Sequence, residues 1–485
     1  MKRKSLVALV CLSVLASSVG AFAQTNLTVV RRANNSVWAQ RCNGVDPASC
    51  DAWKELYGRF SSQPTLTWDA SIRKYIMVGV GMDGRTWKGT FTEDGTFDGT
   101  WREVGSAAAV SPLAMAAASP LTRRVVTVDV NGGGNFTSPV AALASITTAS
   151  ASDPYLVRIL PGVYDVGATP VQMKEFVDIE GSGELVTIIT GAVDGAGNTA
   201  AVVQGSDNAQ LRFLTVQNTF SAGVANLAIG NFGVSPTLVH VRALATGDGA
   251  STRNLGVFNS GGTPSLSHVT VNVSGGRYTY GIFNTSGTAA VIEDVTIEAS
   301  GAVYNNGVRN YSGSDVQMQR VTIHVDATGV GAPESESFGV LNSFSSPRMS
   351  DVTVTAKGGQ NPTASNVGVD NVSASPVLMN VSMAASGGPD DFGMLNEDDS
   401  SPVLTNVVAY GSTAGLKSMT NGSTSSVTID RSTITGDLNA ILNDSGTSLM
   451  IGGSKLGGAR NTLLGTWTCV GSYNEAYSAL GADCN

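Results

Sequence analysis

Past its first two dozen residues the chain has no apolar run of the ~20 residues that a membrane-crossing helix requires, so no membrane span is expected. Charge is scarce as well. Only 14% of the 485 residues are charged, and acids outnumber bases 38 to 29, a net charge of −9 that argues against nucleic acid as a partner. No lysine follows the run Gly132-Gly133-Gly134 at P-loop spacing, which argues against a nucleotide loop. The Leu-x-x-Leu-x-Leu phrase of leucine-rich repeats is missing too. Long helix-forming stretches are few, whereas 57 glycines among many Val, Thr, Ser and Asn suit short strands separated by turns.

The first residues read as a secretory signal: a basic start at Lys2-Arg3-Lys4, an apolar stretch from Leu6, and small residues at Ala21-Phe22-Ala23 before Gln24. Residues 1–23 are therefore expected to be removed, and the mature chain to be secreted, periplasmic or at the cell surface. Loss of three basic residues takes the net charge from −9 to −12. Of five cysteines, Cys11 falls in the signal, and the rest form two local pairs, Cys42 with Cys50 and Cys469 with Cys484. Both pairs are expected as disulfides in an oxidising compartment.

A phrase Gly-(Val/Ile/Met)-x-Asn recurs through the second half, as in Gly256-Val257-Phe258-Asn259, Gly281-Ile282-Phe283-Asn284 and Gly368-Val369-Asp370-Asn371. Its asparagines fall at 231, 259, 284, 310, 342, 371 and 396, with weaker echoes at Asn421 and Asn443. A turn and a second alternating phrase follow each, such as Ser265-Leu266-Ser267-His268-Val269-Thr270-Val271. Coils of about 25 residues with two or three short strands make a right-handed parallel β-helix, placed at 123–455 with a C-terminal cap at 456–485. Asn231, Asn259, Asn284, Asn310, Asn342, Asn371 and Asn396 are expected to stack as an internal hydrogen-bonded ladder.

Residues 24–104 hold another repeat. Val30 to Trp38, then Trp53, matches Gly79 or Val80 to Trp87, then Trp101. Strand, turn and a strand ending in Trp at this period resembles the blades of lectin-type β-propellers, and makes Trp38, Trp53, Trp87 and Trp101 candidates for glycan binding. Two blades cannot close a ring, so a homotrimer with six blades is one expectation; the other is a small antiparallel β domain with these tryptophans in its core. An Ala/Ser/Pro linker spans 105–122.

After the linker, Val126-Thr127-Val128-Asp129-Val130-Asn131-Gly132-Gly133-Gly134-Asn135-Phe136-Thr137-Ser138-Pro139 precedes a short amphipathic stretch expected to be a helical plug capped by Ser138. With Arg158-Ile159-Leu160-Pro161-Gly162, Val177-Asp178-Ile179-Glu180-Gly181 and Leu214-Thr215-Val216-Gln217-Asn218, this opening resembles pectin methylesterases of the pectin lyase-like superfamily. The resemblance covers roughly 125–220 and implies the fold. The Gln and Asp phrases that the esterases use are absent, as are the elements that accompany the double Asp of polygalacturonases, so no position inherits a catalytic role.

Aligning coils puts His240, His268, Asp294, Arg320, Asp351, Asn380 and Asn406 in one column, where two His beside an Asp could hold a metal or act as base and orienter. A charge-paired turn edge is the plainer reading. A second outward stack runs through Arg242, Thr270, Thr296, Thr322, Thr353 and Ser382, with Asn272, Glu298, His324 and Thr355 beyond it. Asp390, Asp391, Glu397, Asp398 and Asp399 could supply oxygen ligands to Ca²⁺, with Lys357 or Lys417 as a neighbouring base, though no cofactor is required. The longer loops contribute Glu334 and Glu336. These features lead to an exported, carbohydrate-associated and non-catalytic β-helix with a polysaccharide partner; the alternative is a polysaccharide lyase or hydrolase.

Overall fold

The computed structural model describes residues 25–31, 36–43, 51–52, 54–59, 65–69, 74–80, 86–92, 96–103, 123–220, 224–248, 252–327, 335–358, 364–419, 425–444, 446–462 and 465–484. The expected signal and linker, Trp53, Cys50, Glu334 and Asn421 lie outside these residues, as does the side chain of Cys42. The chain divides into two compact units, 1–118 and 119–485.

In the first unit, Thr25–Arg31, Ser36–Asn43 and Lys54–Arg59 form an antiparallel three-stranded sheet. Thr65–Asp69, Lys74–Val80, Thr86–Thr92 and Phe97–Glu103 form a four-stranded one. Leu27, Val37, Ala39 and Leu56 of the first meet Met77 and Phe91 of the second in one core, with Trp87, Phe97 and Trp101 packed against it. The Trp101 indole N–H donates to the Leu56 carbonyl at 2.9 Å, and that of Trp38 to Ser36 Oγ at 2.8 Å. Two sheets over a shared core do not make a propeller, and the blade expectation is not supported. The ring-closing argument for a homotrimer lapses with it.

The second unit is a parallel β-solenoid of about 11 turns. The helix Pro139–Ser145 packs Ala142 and Leu143 into the first coil, beside the strands Arg124–Val128 and Tyr155–Ile159. Its start is set by Pro139, whose ring fixes φ, and not by Ser138, whose side chain makes no capping bond.

A typical coil has three strands: Arg253–Ser260, Ser265–Ser267 and Thr270–Ser274. Each pairs in parallel with its counterpart one coil on, Asn259 with Asn284, Leu266 with Ile292, Val271 with Ile297. Three strand columns result, and the inward residues of all three fill one continuous apolar core.

Each letter of the signature has a steric or hydrogen-bonding cause. A Cβ at Gly281 would stand 2.2 Å from Ile297 Cγ2 and 2.5 Å from the Gly307 carbonyl oxygen, and the same squeeze recurs at Gly256, Gly307 and Gly339. The following Val257, Ile282, Val308, Val340, Val369 and Met394 are fully buried. The asparagines form the expected ladder: each Nδ2 donates to the next Oδ1 from Asn231 through Asn259, Asn284, Asn310, Asn342 and Asn371 to Asn396, at 2.7–2.9 Å. Register places Ser418, not Asn421, opposite Asn396, so the ladder ends there; the coil before it offers only Gly205 opposite Asn231. Its two terminal atoms, Asn231 Oδ1 and Asn396 Nδ2, have no hydrogen-bond partner among the described residues.

The last strands, Thr466–Val470 and Tyr473–Asn474, are tied off by a Cys469–Cys484 disulfide with Cα atoms 5.2 Å apart. No helix among the described residues is long and apolar enough to cross a membrane.

Candidate functional site

The column of His240, His268, Asp294, Arg320, Asp351, Asn380 and Asn406 is the corner between the second and third strands. Every one of these residues, with Phe213 before and Arg431 after, has φ between 47° and 57°. Asn, Asp and His tolerate this left-handed conformation better than most residues, which accounts for much of the composition without invoking chemistry. The side chains stack along the axis. Phe213 lies on His240 with centroids 5.2 Å apart, and His240 is 4.7 Å from His268. His268 reaches Asp294 at 3.9 Å, and Arg320 grips Asp294 at 2.7 and 3.0 Å while also contacting Glu293. The two donated bonds hold the Asp294 carboxyl below the usual range, against a smaller opposing effect of burial. Further along, Asn380 donates to Asp351 and Asn406 to Asn380. The corner is an external ladder.

Among the described residues no three His, Cys, Asp or Glu side chains converge as metal ligands. The acidic run around Asp390 is split by the strand Asp390–Glu397. Asp391 is fully buried and accepts from Asn366 Nδ2 at 2.7 Å, the Gly388 amide at 3.1 Å and Ser412 Oγ at 2.5 Å. It closes a second internal row of polar residues. Asp390 and Asp399 are exposed, and Asp398 occupies a left-handed turn position at φ 51°. Lys357 is exposed on the third column, while Lys417 sits 4.9 Å above the Phe392 ring and 3.7 Å from Asp444. Stacking of the third-column polar face is as expected, Thr270 on Thr296 on Thr322 and Asn272 on Glu298 on His324.

The outer face of the first column carries the most specific chemistry. Past the inward glycine and apolar residue, the signature's x position points away from the core and reads Phe258, Phe283, Arg309, Leu341, Asp370, Leu395 and Lys417 in successive coils. Phe232, Phe258 and Phe283 form a row with centroids 5.8 and 5.4 Å apart, and Phe283 meets Tyr280 at 5.3 Å. Tyr278 stacks on Tyr304 at 4.9 Å and 14°. Arginines lie over these rings: Arg309 5.3 Å from Phe283 and 5.6 Å from Tyr311, Arg277 5.5 Å from Tyr304. Arg309 Nη1 also donates to the Tyr280 hydroxyl at 3.3 Å. Burial pushes that hydroxyl's pKa up, against the pull of Arg309.

Two coils further on the same row holds Asp370, only 5% exposed, with no hydrogen-bond partner for Oδ1 among the described residues. Burial, then the charge of Glu397, raise its pKa well above the ordinary carboxylate value against an opposing hydrogen bond from the Asn371 amide, and Glu336 on the other flanking coil adds to the rise. Glu397 is itself raised, by burial and then by Asp398. Glu336 was anticipated from loop length. Asp370 was not; the available signal was an acid standing where neighbouring coils place Leu.

No protein-family model matches the chain, and neither does any curated protein. Solved structures that it resembles include pectin methylesterase from carrot, at 17% identity over 54% of this chain and 82% of that one, with a TM-score of 0.40. Others are the A-module of the mannuronan C-5 epimerase AlgE6 of Azotobacter vinelandii, at 13% over 69% and 94% (TM-score 0.39), and pectin methylesterase from Aspergillus niger, at 14% over 55% and 88% (TM-score 0.34).

Proposed function

We propose that this is an exported, carbohydrate-associated β-helix that binds an extended saccharide along the outer face of its first strand column. The observation that supports this best is the cluster of Phe232, Phe258, Phe283, Tyr278, Tyr280 and Tyr304 with Arg277 and Arg309 laid over it. A coil spacing of about 4.8 Å repeats rings at regular intervals. Phe258 and Tyr280 are buried beneath, and the half-buried Phe232, Tyr278, Phe283 and Tyr304 are the rings that a sugar would meet. Tyr and Arg offer both a flat apolar surface and hydrogen-bonding groups, the combination that pyranose rings with apolar faces and hydroxyl edges require. A glycan array followed by calorimetric titration tests this. Tyr278→Ala and Arg309→Ala should each weaken binding about tenfold with unchanged circular dichroism; wild-type protein that binds no glycan would sink the reading.

Asp370 favours a second reading, a polysaccharide lyase or hydrolase. A carboxyl whose pKa is raised by burial is suited to donate a proton to a departing oxygen. Release of reducing ends or of unsaturated products from uronate polysaccharides, abolished by Asp370→Asn, would establish it.

A further inference from the structure

The solvent face of the four-stranded sheet in the first unit carries a charge arrangement that folding alone does not favour. Alternation sends Trp87, Phe91, Phe97 and Trp101 to the core, so Lys88, Thr90, Asp98, Thr100 and Arg102 face the other way. Lys88 and Arg102 stand directly opposite one another across the antiparallel pair. Like charges in that position destabilise a sheet. Lys74 joins them from the next strand, and the three cations with Thr90, Asp98 and Thr100 line a hollow of about 230 Å³.

The hollow is opened by a bulge. Gly89 pairs with Trp101 and Phe91 with Phe97, so Asp98, Gly99 and Thr100 oppose Thr90 alone. Asp98 does not neutralise the cations fully, because it is occupied locally. Thr90 Oγ1 donates to it, as do the Thr100 amide at 3.1 Å and the Thr100 hydroxyl at 3.2 Å. Among the described residues no carboxylate forms an ion pair with Lys88 or Arg102. The register sets Asp69 opposite Lys74, so in a chain with a net charge of −9 Lys88 and Arg102 are the two cations of this hollow that face a like charge across the strands.

We propose that this hollow binds an oxyanion, the sulfate or carboxylate group of an acidic saccharide, held by the Arg102 fork and by Lys88 with Lys74 at the side. The oxyanion site stands on the charge geometry alone; the saccharide as its carrier rests on the glycan-binding reading. Three cations around one hollow do not form the extended track that a nucleic-acid backbone needs.

The test uses the full secreted chain and four probes: sodium sulfate against sodium chloride at matched ionic strength, an oligogalacturonate, a sulfated disaccharide, and duplex DNA. Sulfate should raise the melting temperature where chloride does not. One of the two saccharides should bind with an affinity that falls as salt rises. In Lys88→Ala/Arg102→Ala both effects should drop at least tenfold, while the ligand-free protein melts no lower, since a like-charge pair has been removed. Tyr278→Ala on the solenoid should leave the sulfate response intact. Equal responses of wild type and double variant, or equal protection by sulfate and chloride, overturn the site. Sulfate protection without saccharide binding overturns the carrier, and preference for the duplex overturns both the carrier and the local character of the site.

Discussion

Asp370 is the residue whose environment is least compatible with its charge. Its neighbours in the same row are Leu341 and Leu395, one carboxyl oxygen lacks a partner among the described residues, and Glu336 and Glu397 add negative potential. A folded-state pKa above the unfolded value means that the folded protein binds the extra proton over the interval between them, so stability falls as pH rises through that window. Below the unfolded carboxylate value, about 4, there is no penalty. Asp370→Asn should therefore melt higher than wild type at neutral pH, by about 1–3 kcal/mol equivalent, and converge with it below pH 4. Melting temperatures across pH 3 to 8 check this; a variant that is less stable at pH 7 would mean that the bond from the Asn371 amide outweighs the burial and the like charges around the carboxylate. The residue was hidden in the sequence because strand periodicity says which side chains face outward, and says nothing about which outward ones are covered.

At the level of the coil, the repeat, the ladder and the corner column were all legible, since a solenoid turns sequence spacing directly into lateral contact. What spacing left open was meaning. His240, His268 and Asp294 share a column as alignment indicated, yet a common left-handed φ explains most of it. Asn421 is only a weaker echo of the phrase, and the register puts Ser418 opposite Asn396. Ladder position should set the cost of breaking it. Asn310→Ala strands Asn284 Nδ2 and Asn342 Oδ1 together, so its cost should be about 2–4 kcal/mol from two orphaned groups, against about 1–2 kcal/mol for terminal Asn396→Ala. Urea titrations of both variants give the comparison, and equal costs would contradict hydrogen-bond continuity. The glycines can be tested likewise. Gly307→Ala drives a methyl to 2.2 Å from Ile323 Cγ2 and 2.6 Å from the Gly339 carbonyl oxygen, whereas Gly287 has open space and only a positive φ. Gly307→Ala should cost more than 3 kcal/mol and should not be rescued by Ile323→Ala, because the backbone clash remains. Gly287→Ala should cost about 1 kcal/mol.

Across the whole molecule, stability is distributed along one axis in the second unit, where each coil contacts mainly its neighbours. Damage at an end should then stay at that end. The Cys469–Cys484 bond closes a short loop, a sequence separation of 15, worth about 3 kcal/mol on a chain-entropy model, and Cys484 is buried against the last coil. In a globular core that loss would lower the stability of everything; in a solenoid it should open the terminal coil and leave the Asn231–Asn396 ladder closed. Hydrogen exchange on the Cys469→Ser/Cys484→Ser variant should show faster exchange over 448–474 and unchanged protection from Asn259 to Asn371. The ladder amides would accelerate together with the terminal strands only if the coils unfold as one cooperative block, and in that case the additive, neighbour-by-neighbour account of this fold fails at its foundation.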